Sequence, residues 1–276
     1  IQYLNKTLWS SYLLKGVEEL IAFAHVIDDT GKYQGNKVTF SDIGSITIGD
    51  YVKDTDYDLQ VLTDAKKEIN LTQQKYFAVG LDDIDAGQTE ADIASEVLRK
   101  GGNGFKKEVE EYIAGLHASA GIVTGLGDST TPLEINSVNA GTTLLTVSRK
   151  LKEANANMST LWAVIPPWYW EKLVLKYEGL ATNNDEILAN GYIGKLYGIK
   201  LYVSNCIANT TGAKYKILSG DGDAVRFGHN IENIEKLRNP NRFGDIIRGL
   251  YVFGGVVSQT ATLACITANE AAEPAE

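Results

Sequence analysis

The spacing of apolar residues changes along the first third of the chain. From Leu8 to Phe23 apolar residues recur every three or four positions, which predicts a short amphipathic helix. From Lys37 apolar and polar residues alternate, and the alternation returns at Ile69, which predicts two long antiparallel strands flanking the polar stretch Lys53–Lys67. The resulting hairpin, Gly31–Lys75, has too few apolar residues for a core of its own, so we expect it to lie on another subunit.

A long helix is predicted from Ile84 to Ala118, with a weak point near its middle. Two apolar stripes are separated there by Gly101-Gly102-Asn103-Gly104. A glycine inside a helix costs about 0.5–1 kcal/mol relative to alanine. We therefore expect a bend or break at these glycines, either a hinge within one helix or a fixed loop between two helices.

The remainder of the chain is predicted to be an α/β unit followed by strands. A glycine-rich loop at Gly121–Asn136 marks a domain boundary. After it come an amphipathic helix, a buried strand and an aromatic-rich helix, at residues 142–154, at 161–165 and from Pro166 onward. The pattern after Lys214 is mostly β, with strands predicted at Ala224–Phe227 and Ile231–Leu237 among others, up to a tail at Ala268–Glu276 that we expect to be disordered.

Composition and charge exclude several classes of function. The 276 residues are 44% hydrophobic and 22% charged, as in an ordinary globular protein. The longest apolar run, Leu250–Val257, is far shorter than the roughly 18 residues of a membrane span, so no membrane association is expected. The net charge of −9 disfavours a protein that grips DNA by neutralising phosphates. Two cysteines make no disulfide framework.

The chain contains no complete motif for catalysis, cofactor binding or metal binding. Its three histidines are far apart and have no metal-ligand spacing. Gly191–Leu196 ends like a phosphate-binding loop but lacks the first glycine and the Ser/Thr of that motif. Asp54, Asp56 and Asp58 match the start of a calcium loop, yet Leu59 replaces its turn glycine, which favours a solvated loop. We expect no catalytic residue, metal or cofactor.

Four local sequences occur in a specific order along the chain: Ser41–Tyr51, Gln73–Phe77 with Val79–Ala86, Gly191–Asn205, and Arg242–Gly254. They resemble, in turn, the outward strand of an extended loop, its return strand leading into a spine helix, the approach to an axial-domain strand, and the closing strands of a peripheral domain. These are parts of the major capsid protein of tailed double-stranded DNA bacteriophages. The resemblance covers about Leu8 to Ala268 and implies the α+β Hong Kong-type phage capsid fold, which encapsulins share.

The resemblance implies five parts of the chain: an N-terminal arm at 1–30, an extended β-hairpin loop at 31–78, a peripheral domain with the spine helix at 79–136, an α/β axial domain at 137–213, and the peripheral closing strands with a C-terminal tail at 214–276. Relatives bend the spine helix in the immature shell. That property makes Gly101, Gly102 and Gly104 a candidate spine hinge.

Two polar loops are candidate contacts between subunits. The extended loop carries Lys53, Asp54, Asp56, Asp58, Lys66 and Lys67. The loop at 177–190 carries Asn183, Asn184, Asp185 and Glu186 at its tip, and we expect it near a symmetry axis. Some relatives crosslink subunits through a Lys–Asn bond, but no motif in this chain identifies the asparagine or glutamate partner, so that chemistry is not assigned.

The function implied by the resemblance is structural. The chain would assemble with copies of itself, as hexamers and pentamers, into an icosahedral head that encloses double-stranded DNA without sequence-specific binding. Scaffolding, portal and decoration proteins are the further expected partners, and the virion is the expected location after assembly in the bacterial host cytoplasm. The alternative is an encapsulin-type nanocompartment shell, which the long hairpin disfavours. An α/β enzyme would need a catalytic constellation that the chain lacks.

Overall fold

The computed structural model describes residues 32–34, 37–43, 48, 50, 53, 64–82, 93–177, 194–240 and 243–273. Within them the strands are β1 Lys32–Gln34, β2 Lys37–Ile43, β3 Asp64–Asn70, β4 Gln73–Asp82, β5 Leu133–Ile135, β6 Trp162–Ile165, β7 Lys195–Leu196, β8 Ile199–Val203, β9 Tyr215–Gly220, β10 Val225–Arg238, β11 Gly244–Val257 and β12 Leu263–Glu270. The helices are α1 Ile93–Gly115, α2 Ala140–Glu153 and α3 Pro167–Tyr177, with 3-10 turns at Leu116–Ser119 and Thr260–Thr262.

A six-stranded mixed sheet, in the order β5-β12-β9-β6-β8-β7, forms the centre of the α/β part. Every residue of β6 is buried, as the apolar run predicts. Trp162 and Val164 pack in one core, together with α1 and β11. Ala163 and Ile165 alternate with them and pack in a second core with α2 and α3. The sheet therefore separates two cores and is covered on both faces.

Strands from both sides of the predicted domain boundary at residues 213/214 pair in one sheet. Strands β9 and β12 lie beyond that boundary, yet β9 pairs with β6 and β12 pairs with β9 and β5. These two strands belong to the α/β sheet because their buried residues alternate between the same two cores, as Ile217 and Leu218 do. Strand spacing in the sequence cannot show such pairing, because it sets which residues are extended and not which strands meet.

A second sheet, in the order β10-β11-β4, carries α1 on one face. The two strands predicted at 224–227 and 231–237 are one strand, β10, with a bulge between Ile231 and Asn233. The apolar side of α1 packs on this sheet through Phe105, Val109 and Ile113. The predicted return strand, β4, pairs antiparallel with β11 over ten residues, from Gln73 to Asp82.

The predicted hairpin forms, since β2 and β3 pair antiparallel with Val38 opposite Ile69. The apolar residues at its base are buried without any contact from another subunit. Val38, Ile69 and Leu71 form a small buried cluster with Val252 of β11. The contact is close, because a Cβ added to Gly228 would lie 2.6 Å from Val38. The hairpin base therefore packs on its own chain.

Helix α1 runs unbroken through the glycine cluster, so the expectation of a loop between two helices is wrong. The apolar stripe on both sides of the cluster packs in one core, with Leu98 before it and Phe105 after it. This continuous packing compensates for the low helix propensity of glycine. The predicted start of this helix at residues 84–92, and the predicted helix Leu8–Phe23, lie outside the described residues.

The tail predicted to be disordered is ordered as far as Glu273. Strand β12 extends to Glu270, and its last three residues pair in parallel with β5. The next residue continues the pairing, with the amide of Ala271 donating to the carbonyl of Ile135 at 2.9 Å. The composition of the segment, rich in Ala and Glu, suggested disorder. Hydrogen bonds to β5 instead keep the segment in place.

Candidate functional site

The hairpin, the long helix and the second sheet meet at the side chain of Phe77. This residue lies on β4, where the hairpin returns to the body of the protein. A Cβ built on Gly101 of α1 would lie 2.9 Å from the ring, and one built on Gly249 of β11 would lie 2.6 Å from it. Real Cβ contacts are longer than this, so both positions need glycine for the ring to fit. The ring also packs against Phe105, with 5.5 Å between centroids.

Polar contacts hold α1 on the same strands. Lys75 of β4 pairs with Glu108 of α1 at 2.7 Å, with both side chains partly exposed. Further along the helix, the hydroxyl of Tyr112 donates to the carbonyl of Gly255 at 3.2 Å. The exposed ion pair adds at most about 1 kcal/mol. The apolar contacts around Phe77 therefore contribute most of the free energy that holds α1 on the sheet. The polar contacts fix the position of α1 along the strands.

A buried carboxylate joins α1 to the α/β part. Glu110 is 7% exposed and accepts a hydrogen bond from the hydroxyl of Ser204 at 2.7 Å. The amide of Cys206 donates to the same hydroxyl at 3.1 Å. Burial, followed by the charge of Glu110, raises the pKa of the Cys206 thiol, and burial lowers the pKa of Lys106. A thiol with a raised pKa is a poor nucleophile, so this cluster is suited to holding elements together rather than to catalysis.

The expected contact residues of the extended loop are partly described. Lys53 lies exposed in a turn, and Lys66 and Lys67 lie on β3, opposite Ser41 and Phe40 of β2. The aspartates 54, 56 and 58 and the loop tip 183–186 lie outside the described residues. The role of all these residues in contacts between subunits stays a prediction.

Two exposed aromatic side chains were missed by the sequence reasoning. Tyr76 on β4 is 78% exposed, and Phe243 beside the turn between β10 and β11 is 83% exposed. The signal for Tyr76 was available, because neighbours in a strand point to opposite faces and Phe77 is the one facing α1. Phe243 follows the long predicted strand 231–237 and gives no such signal. Aromatic residues are enriched at protein–protein interfaces, so these two side chains are candidates for contacts between subunits.

The described part of the chain contains neither a metal-binding cluster nor a membrane-spanning helix. No group of three or more His, Cys, Asp and Glu residues there is placed to hold a metal ion. Among the described helices, none is both long enough and apolar enough to span a bilayer.

Solved structures from phages and of a virus-like particle have the same fold. The structure of Mycobacterium phage Che8 matches with a TM-score of 0.69 and 21% identity, over 90% of this chain and 91% of that chain. The capsid of cyanophage P-SCSP1u matches with a TM-score of 0.67 and 16% identity, over 89% and 87%. A virus-like particle from Pyrococcus furiosus matches with a TM-score of 0.58 and 16% identity, over 96% and 100%. The fold is therefore the α+β capsid fold that the resemblance implied.

The sequence identifies the family within this fold. The model of a family described as phage capsid protein matches residues 66–266, which is well over half of the chain. The chain belongs to this family of phage capsid proteins. No curated protein sequence matches this chain.

Proposed function

We propose that this chain is the major capsid protein of a tailed phage and self-assembles into the icosahedral head that encloses the double-stranded DNA genome. The match of the capsid family model over residues 66–266 carries this proposal. The likeness of the fold to solved capsids, over 90% of the chain for phage Che8, supports it. The role is structural, and the absence of a catalytic motif in the sequence is consistent with that.

The architecture suggests how the subunit would build a wall. Helix α1 and the sheet β10-β11-β4 pack together around Phe77, and the hairpin leaves them from β4. The hairpin base, at Val38, Ile69 and Leu71, is buried on the same chain. The rest of the loop, with Lys53, would lie on a neighbouring subunit. The loop carrying residues 183–186 would lie near the five- and six-fold axes.

The remaining partners and the location belong to the same proposal. The chain would assemble in the host cytoplasm with a scaffolding protein and a portal, and decoration proteins would bind the finished head. The net charge of −9 fits a container better than a protein that grips DNA by neutralising its phosphates. The encapsulin alternative is not better supported, since the family model is that of phage capsids.

Expression of the full chain tests the proposal. We expect sedimentation velocity to show large particles and negative-stain microscopy to show icosahedral shells. Tyr76→Ser removes an aromatic side chain that is 78% exposed, and we expect it to reduce shell yield while the circular dichroism stays unchanged. Tyr76→Phe, the matched control, keeps the apolar area and should assemble. A chain that stays monomeric and well folded under all conditions, with or without a scaffolding protein, would contradict the proposal.

A further inference from the structure

The segment after β12 makes contacts that its composition does not suggest. One oxygen of the Glu273 carboxylate lies 2.8 Å from the Lys172 ammonium of α3. The other oxygen accepts a hydrogen bond from the amide of Ser137 at 3.1 Å and a second one from the Ser137 hydroxyl. A single carboxylate thus bridges α3 and the turn that leads into α2.

Lys172 is the buried partner of Glu273 in this bridge. Its side chain is only 8% exposed, whereas Glu273 remains partly open to solvent. The second carboxylate near Lys172 is that of Glu270, at 3.5 Å. Both carboxylates come from the same C-terminal stretch of chain. A buried ammonium without a counter-ion is strongly unfavourable, so the position of Lys172 depends on that stretch.

Backbone pairing brings the segment to this position. The end of β12 pairs with β5, and Ala271 extends the pairing to the carbonyl of Ile135. Ser137 follows β5 by two residues, so pairing places Glu273 beside it. Helix α3 is joined to the same place by the hydroxyl of Tyr169, which donates to the carbonyl of Ala140 at 2.8 Å. Three distant parts of the sequence therefore meet at one carboxylate.

We propose that Ala271–Glu273 is a strap that closes the α/β part of the chain. While the strap is docked, Glu273 neutralises the buried Lys172 and fixes α3 against the start of α2. When the strap is undocked, Lys172 loses the nearer of its two carboxylates and keeps only Glu270, at 3.5 Å, so α3 is held less firmly. The strap is a conformational device and does not depend on the proposed function.

Hydrogen exchange on the full-length chain tests the strap. Glu273→Gln removes the charge and keeps the shape of the side chain. We expect it to increase exchange in residues 167–177 by about tenfold and to leave α1 unchanged. Glu153→Gln is the matched control, because Glu153 forms an ion pair of the same 2.8 Å length with Arg149 on the surface of α2. The control should change exchange less than about twofold.

A second substitution separates the strap from a general loss of stability. Lys172→Met replaces the buried cation with an apolar side chain of similar length, so it removes the need for a counter-ion. In the Lys172→Met background, Glu273→Gln should therefore have little effect on exchange in residues 167–177. A chain ending at Glu270 should behave like Glu273→Gln.

Two results would overturn the strap. One is an effect of Glu273→Gln no larger than that of Glu153→Gln. The other is an equal effect of Glu273→Gln with and without Lys172. If Glu273→Gln does not fold, a salt titration of the parent chain decides the question. Salt should then raise exchange in residues 167–177 before it raises exchange in α1, and equal rates would overturn the proposal.

Discussion

The ring of Phe77 occupies the space that a side chain at Gly101 would need. A Cβ on Gly101 would lie 2.9 Å from the ring, and the same ring atoms are also the nearest to a Cβ on Gly249. Packing against Phe77 thus requires glycine at one position of the cluster in α1, Gly101. Gly101 allows close approach of helix and strand, whereas a Cβ on Gly104 would meet nothing within 4 Å.

This difference predicts opposite effects of two alanine substitutions. Gly101→Ala should destabilise the chain by about 1–2 kcal/mol, because the clash with Phe77 outweighs the gain in helix propensity. Gly104→Ala should stabilise it by about 0.5–1 kcal/mol, because alanine has a higher helix propensity than glycine and its methyl group clashes with no atom. Urea denaturation of the two variants measures both changes. Equal stability of the two variants would show that the Phe77 ring can move aside.

The spine hinge at Gly101, Gly102 and Gly104 stays a prediction, now for a continuous helix. If α1 bends between two shell states, Gly104→Ala stiffens it without touching Phe77 and should favour the state with the straighter helix. Electron microscopy of shells before and after expansion measures the proportion of each state. Identical geometry at residues 101–104 in both states would eliminate the hinge.

The strap predicts a dependence of stability on acid pH. The hydrogen bonds from Lys172 and Ser137 lower the pKa of Glu273 to about 2, from an ordinary value of 4.5. A lowered pKa means that the stabilisation is complete above the ordinary value and is lost as the pH falls towards 2. The difference in melting temperature between the parent and Glu273→Gln should therefore be constant from about pH 6 to 8 and should shrink below about pH 4. A difference that does not change with pH would contradict this.

The groups around Glu273 do not alter the direction of this pH dependence. Glu270, the other carboxylate beside Lys172, is present both in the parent and in Glu273→Gln, so it does not contribute to the difference between them. Lys172 has a pKa raised by Glu273, so it keeps its charge throughout the acid range. The matched control is again Glu153→Gln, for which we expect a small difference at every pH.

The two cysteines should differ in reactivity. Burial raises the pKa of Cys265 to about 11, and this residue lies on β12 in the core. Cys206 is half-buried, and burial together with Glu110 raises its pKa as well. Both thiols should therefore react slowly with iodoacetamide at pH near 8, and Cys206 should react before Cys265. Rapid labelling of Cys265 in the folded chain would show that the sheet opens readily.

The sequence by itself determined the local elements and the type of protein. The apolar run of β6, the alternation at the start of β2 and the stripes of α1 depend only on which neighbouring residues share a face, so they could be predicted from spacing, whereas most of β3 lies in the stretch Lys53–Lys67 that was predicted to separate two strands. The capsid fold was indicated by the resemblance of four local sequences, in their order along the chain, to those of phage capsid proteins. The charged loops with Lys53 and with residues 183–186 were identified as candidate contacts, but spacing holds no information on what they contact.

Only the tertiary structure decided how distant parts of the chain meet. The contact of Phe77 with Gly101 joins segments that local patterns treat separately, and it explains a glycine that looked like a defect in a helix. The assignment of β9 and β12 to the α/β sheet depends on hydrogen bonds between strands far apart in sequence. The tail pairs with β5 and contacts a lysine about a hundred residues before it, Lys172. Such contacts arise from packing and charge burial in three dimensions, and a local sequence pattern does not contain them.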